Sequence, residues 1–227
     1  MITRFAAKAH CVTGAFWAII AVMSSQPIRY VTPEEYLKFD RSSEFRHEYV
    51  FGEIVPMVAA TYQHGQIALN AGRALGNRLS NRPCGIVDSS VRVALHRGTL
   101  YSYPDATVVC GKPEFIDGES DTIVNPKLVV EVLSPTTRNY DLGDKTRMYW
   151  RIPSLTDLLL VEQDKVWIEY WFREPGGKWD QQVASDLGDV LKIESLDCVL
   201  PVAEVYSGVD LPARPPEGLR SVPQEDM

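Results

Sequence analysis

The segment LVVEVL, Leu128 to Leu133, is apolar except for one carboxylate, Glu131. In a strand, Val129, Glu131 and Leu133 share one face and Leu128, Val130 and Val132 the other, so Glu131 has apolar neighbours on either side. Burying an ionised carboxylate is costly unless it is paired or binds a cation. One account is an ion pair with Arg138, Lys145 or Arg147; the other is metal ligation. A second acid, Asp105, follows Pro104 at the head of another apolar run, ATVVC. Two strands that aim acids toward one end of a sheet can share a divalent cation, although Pro-Asp is also a common turn dipeptide. Glu48, in the alternating segment FRHEYV, could supply a third oxygen. Mg²⁺ takes carboxylate oxygens and retained waters, whereas Zn²⁺ asks for His or Cys. The expected cofactor is therefore Mg²⁺, with Mn²⁺ as a substitute. Lys145 stands four residues before Tyr149, on one helical face. Its ammonium could orient a water nucleophile or stabilise charge on a phosphate. A solvated lysine paired with Asp141 at i, i+4 fits that spacing equally well.

These side chains need elements to hold them. Thr32, Pro33 and Glu35 form a capping box that predicts a short first helix. Alternation from Phe45 to Val50 and a Phe51-Gly52 turn predict a hairpin with Glu53 to Met57. Ile67, Ala71, Leu75 and Leu79 recur at helical spacing, which predicts an amphipathic helix over 64–79 packed on a sheet. Residues 85–95 and 99–110 read as strands around the turn HRG, followed by a polar loop over 111–125. Asp141 is expected to cap a helix that runs to about Arg151 and ends by Pro153. Three strands then form a meander, and one more strand and a short helix close the domain. The order of elements predicts a mixed α/β (α+β) fold, a central sheet flanked by helices. We expect an N-terminal extension or mis-assigned start over 1–27, one domain over 28–210, and a Pro-rich disordered tail over 211–227. Arg4 and Lys8 followed by the apolar run Cys11 to Met23 resemble the n- and h-regions of a signal peptide, with secretion as the alternative. The run is too short for a full membrane span, no small-x-small cleavage site follows, and Met23 is a natural start.

The formal net charge is −7. That disfavours a protein coated in basic surface for nucleic acid and leaves room for a local groove, with Arg73, Arg78, Arg92 and Arg138 as candidates. The four cysteines are scattered, without a C-x-x-C pair or Cys/His cluster, so free thiols in a reducing compartment are expected. There is no G-x-S-x-G, H-E-x-x-H, P-loop or dinucleotide fingerprint.

The series HEYVFGEIV, QHGQI, YPDATVV, LVVEVLSPTTRNYDLGDKTRMY and LLLVEQDKVWIEYW resembles the Uma2 family of bacterial restriction endonucleases, abundant in cyanobacteria, within the PD-(D/E)XK nuclease superfamily. The resemblance covers about Ile28 to Val209. It implies a restriction-endonuclease-like central mixed sheet flanked by helices, with a metal site between core strands. By carry-over, Asp105 is the acid of the Pro-Asp motif, Glu131 the acid of the D/E-x-K motif and Glu48 the additional N-terminal acid; all three are implied metal ligands. The motif's lysine position holds Leu133, and the resemblance implies that Lys145, on the following helix, takes its place. His64 is read as a structural or capping side chain. The implied activity is Mg²⁺-dependent hydrolysis of DNA phosphodiesters in the cytoplasm, by a homodimer and with no membrane partner. The competing expectations are a catalytically inactive nucleic-acid-binding or regulatory module of the same fold, and a purely structural network in which the acids pair with Arg138 and Lys145.

Overall fold

A computed structural model describes residues 30–95, 98–135 and 137–211. The expected extension over 1–27, and the expected tail beyond residue 211, lie outside them. Helix α1 (Pro33–Ser42) starts as its sequence dictates: the Thr32 side chain accepts from Glu35 N, and the Glu35 carboxylate accepts from Thr32 N. Strands β1 (His47–Val50) and β2 (Glu53–Pro56) form the expected hairpin. Its turn places Phe51 at φ 46° and Gly52 at φ 97°. Two successive positive φ values suit the right-handed twist of paired strands, and glycine adopts the second without a Cβ clash. Helix α2 (Tyr62–Leu79) begins earlier than its apolar periodicity suggests, because the Thr61 side chain caps it by accepting from His64 N.

Strands β3 (Cys84–Asp88), β4 (Arg92–Ala94), β5 (Leu100–Ser102) and β6 (Ala106–Cys110) replace the two longer strands expected over 85–95 and 99–110. The chain turns at Ser89 and Ser90 and bends at Asp105, and at each break it passes from one sheet to the other. Strand β7 (Thr122–Ile123) lies within the predicted loop and pairs in parallel with β4. Strand β8 (Leu128–Leu133) has the predicted bounds and is buried throughout. Next come helix α3 (Arg138–Tyr140), a π-helical turn (Asp141–Lys145) and helix α4 (Thr146–Tyr149). The helical run thus starts ahead of Asp141. Asp141 is a buried member of the π turn, a correction to its predicted role as N-cap. Strands β9 (Asp157–Glu162), β10 (Ile168–Arg173) and β11 (Trp179–Ala184) make the expected meander. The last segment holds two strands, β12 (Val190–Ile193) and β13 (Cys198–Pro201), where one was predicted, and ends in helix α5 (Val202–Val205).

The six-stranded sheet runs β11-β10-β9-β8-β6-β3 and is mixed: β8 and β9 are parallel, the other pairs antiparallel. The five-stranded sheet runs β2-β1-β5-β4-β7. Ile67, Ala71 and Leu75 of α2 pack on Val108, Val130 and Leu159, one face of the six-stranded sheet. Met148, Tyr149 and Ile152 pack with Val129, Leu133, Leu158 and Leu160 on the opposite face. The fold is the expected mixed α/β architecture with helices flanking a central sheet. The prediction of free thiols is corrected at two positions. Cys84 and Cys110 are register partners at the ends of β3 and β6, and a disulfide joins them; Cys198 is a free thiol. No helix among the described residues is long and apolar enough to cross a membrane.

Candidate active site

Glu131 lies on the β8 face that carries Val129 and Leu133, and that face looks onto the helical run 138–149. Lys145 reaches it from the end of the π turn. Its Nζ donates to Glu48 Oε1 at 2.9 Å and lies 3.0 Å from Glu131 Oε1 and 3.6 Å from Asp141 Oδ1. All four side chains are buried. Glu48 comes from β1 in the five-stranded sheet and Glu131 from β8 in the six-stranded one, so one ammonium joins the two sheets. The passage from β5 to β6 completes the arrangement. Tyr103 N donates to Glu48 Oε1 at 3.3 Å, and Asp105 Oδ2 accepts from Val132 N at 2.7 Å, beside Glu131 in the chain. The other Asp105 oxygen, Oδ1, lies 2.9 Å from His64 Nε2 at the start of α2.

The ion-pair alternative is met, by Lys145. Lys145 does pair with Glu131, whereas Arg138 pairs with Glu162 and Arg147 with Asp144. Lys145 is not a solvated lysine; its side chain is 6% exposed. Of the arginines expected to line a groove, Arg78 holds Glu204, Arg92 holds the buried Asp40 together with Asp121, and Arg73 donates to Asn70.

Sequence reasoning missed two contributors and gave a third only its structural role. The Tyr149 hydroxyl donates to Glu131 Oε1 and also meets Ser102 Oγ at 2.8 Å. A buried tyrosine on an amphipathic face reads as core; the i, i+4 spacing from Lys145 was the available signal. Ser102 carries none. The third is His64, whose backbone N–H does take the cap while its side chain holds Asp105.

Burial pushes the Glu131 carboxyl up to about 8, against the pull of Lys145 and with help from Asp141, Asp105 and Glu48. Burial likewise raises Asp141 above the ordinary carboxylate range, opposed by Lys145. For Lys145 burial acts downward, but Glu131 and Glu48 outweigh it and hold the ammonium well above its ordinary value. For His64, burial is outweighed by the bond to Asp105 and its charge, and the imidazole is raised.

Among the described residues, every contact found on the Glu48 and Glu131 carboxylates falls on Oε1. Each therefore has an Oε2 that none of these donors uses. The donor chemistry fits a hard cation: Mg²⁺ binds through one or two carboxylates plus waters and substrate phosphate, and Asp105 and Glu131 could supply that pair. No three His, Cys, Asp or Glu side chains among the described residues gather closely enough to cage an ion by themselves, which a closed Zn²⁺ site would need.

Residues 33–203 match the profile of the Uma2 family, described as "Putative restriction endonuclease". An uncharacterized Synechocystis protein, slr1290, is 31% identical over 191 residues, 84% of this chain and 99% of the relative. A second, sll1609, is 29% identical over 151 residues, 66% and 85% of the two chains. An Anabaena variabilis crystal structure, described as "a putative nuclease belonging to DUF820", aligns with a TM-score of 0.64 at 17% identity. It covers 78% of this chain and 98% of its own. At that identity the likeness establishes a shared fold.

Proposed function

The chain belongs to the Uma2 family, and from that premise we propose that it is a metal-dependent endonuclease that hydrolyses DNA phosphodiesters. The observation that carries the reading is the buried junction of Glu48, Glu131 and Lys145, with Asp105 bonded to the backbone beside Glu131.

Asp105 and Glu131 would hold Mg²⁺, with waters and substrate phosphate completing its shell, and the bound ion would supply Lewis-acid polarisation of the phosphate and a more acidic water. The chain's own residues set up the rest. Tyr149 and Lys145 hold Oε1 of Glu131, which fixes the side chain. His64 and Val132 N fix Asp105 in the same way. Lys145 keeps a protonated ammonium in a site of low dielectric, where it favours negative charge developing on a phosphate. Leu133 fills the motif's usual lysine position with a buried apolar side chain, and Lys145 brings the ammonium to Glu131 from the helical run instead.

Cutting both strands of a duplex calls for two sites, which a homodimer supplies. A DNA substrate favours the cytoplasm, whereas the Cys84–Cys110 disulfide is the chemistry of oxidising compartments and weighs against it. A second reading, a nucleic-acid-binding module that no longer cleaves, is favoured by Leu133. The test is incubation of supercoiled plasmid with purified protein and Mg²⁺ or chelator. Nicked and linear products only with the metal support the nuclease; plasmid bound but left intact supports the second reading.

A further inference from the structure

We propose that Arg138 binds a non-scissile phosphate of the DNA strand, beside the carboxylates that act on the scissile one. The inference rests on the nuclease reading and adds a substrate contact to it.

Register places Arg138 on the correct side of the sheet. Glu131 pairs with Leu160 and Leu133 with Glu162 in the parallel β8/β9 ladder. Glu131 and Glu162 therefore lie on one face, two residue pairs apart toward the carboxyl ends of both strands. Arg138 Nε donates to Glu162 Oε1 at 2.7 Å, which brings the guanidinium to that same face. Open sheets bind ligands outside the carboxyl ends of parallel strands, as this position is.

The side chain is anchored at one end and open at the other. Glu162 is 4% exposed, but the Arg138 side chain is 40% exposed. Among the described residues no acceptor meets Nη1 or Nη2, so the pair of donors that suits a phosphate is unused. Its backbone is also fixed: Arg138 N donates to Ser134 O at 2.9 Å, and Thr137 N donates to Ser134 Oγ at 3.2 Å. A purely structural arginine would direct its Nη groups at protein acceptors, as Arg173 does with the carbonyls of Trp150, Ile152 and Pro153. Arg138 directs only Nε inward, and its remaining charge faces solvent next to the proposed reaction centre.

The test uses two variants. Arg138→Gln removes the charge, and the double variant Arg138→Gln, Glu162→Gln removes it without stranding a buried carboxylate. Duplex binding is followed by fluorescence anisotropy in chelator across a salt series, and cleavage kinetics are measured with Mg²⁺. Both variants are expected to bind at least about tenfold more weakly. Their salt dependence should be shallower by about 0.9 in log K against log[salt], the loss of one phosphate contact. KM should rise with kcat nearly unchanged. If the wild type cleaves while both variants keep its affinity and salt slope, the Arg138 assignment is overturned and the nuclease reading stands. A wild type that neither binds nor cleaves DNA overturns both.

Discussion

Lys145 and Glu131 form a 3.0 Å ion pair with both side chains buried. The same ammonium serves Glu48, so two sheets depend on one counterion. Removing the ammonium strands the buried Glu48 that it also holds, and breaking a buried pair in this way costs about 3–5 kcal/mol. Lys145→Met should lower the unfolding free energy by that order at pH 7, read from urea denaturation. A loss below about 1 kcal/mol, the scale of an exposed pair, would contradict the buried junction.

Glu131 gives the protein a pH dependence of definite sign. Its folded value of about 8 lies above the ordinary 4.5, so the folded state holds a proton that the unfolded state releases. This group contributes stability below pH 4.5 and loses it as pH rises toward 8. The difference in unfolding free energy between wild type and Glu131→Gln should fall steadily over that window. Calorimetric Mn²⁺ titration at pH 7 in buffers of different protonation enthalpy should also register proton release, since the ion needs the carboxylate. Heats that do not vary with buffer would count against Glu131 as a ligand.

The carboxylates were legible in the sequence because each breaks a local pattern: Glu131 interrupts an apolar strand, and Asp105 follows a proline at the head of one. Their partners were not. Tyr149 reads as core, and only the packing of the helical run on β8 brings its hydroxyl to Glu131. Asp141 has the look of a cap, yet the helical run opens at Arg138, and the π turn carries Lys145 inward. Turns at Ser89-Ser90 and Pro104-Asp105 could be read locally, but sheet membership is decided by long-range pairing, so the one predicted sheet became a six-stranded and a five-stranded sheet, with β12 and β13 paired apart. The Cys84–Cys110 pair depends on the β3/β6 register, which cysteine spacing does not encode.

His64 is expected to matter through Asp105. Its Nε2 lies 2.9 Å from Oδ1, and losing such an orienting partner typically lowers metal affinity about 10–100-fold. His64→Ala should weaken Mn²⁺ binding by that factor in calorimetry while leaving the circular dichroism spectrum intact. Unchanged Mn²⁺ affinity would reduce His64 to a helix-start residue.

The disulfide closes a sequence separation of 26 residues. A cross-link of that span is worth about 3 kcal/mol through the unfolded chain. Oxidised protein should therefore have a higher urea midpoint than reduced protein, and Cys84→Ser with Cys110→Ser should match the reduced form. Equal midpoints with and without reductant would show that the bridge carries no stability.

The most direct measurement is the rate of Mg²⁺-dependent plasmid nicking by wild type, Asp105→Asn and Lys145→Met, each first shown to be folded. Nicking by the wild type, reduced by about 100-fold or more in both variants, is the predicted result. Asp105→Asn cutting at the wild-type rate would contradict the assignment of this site.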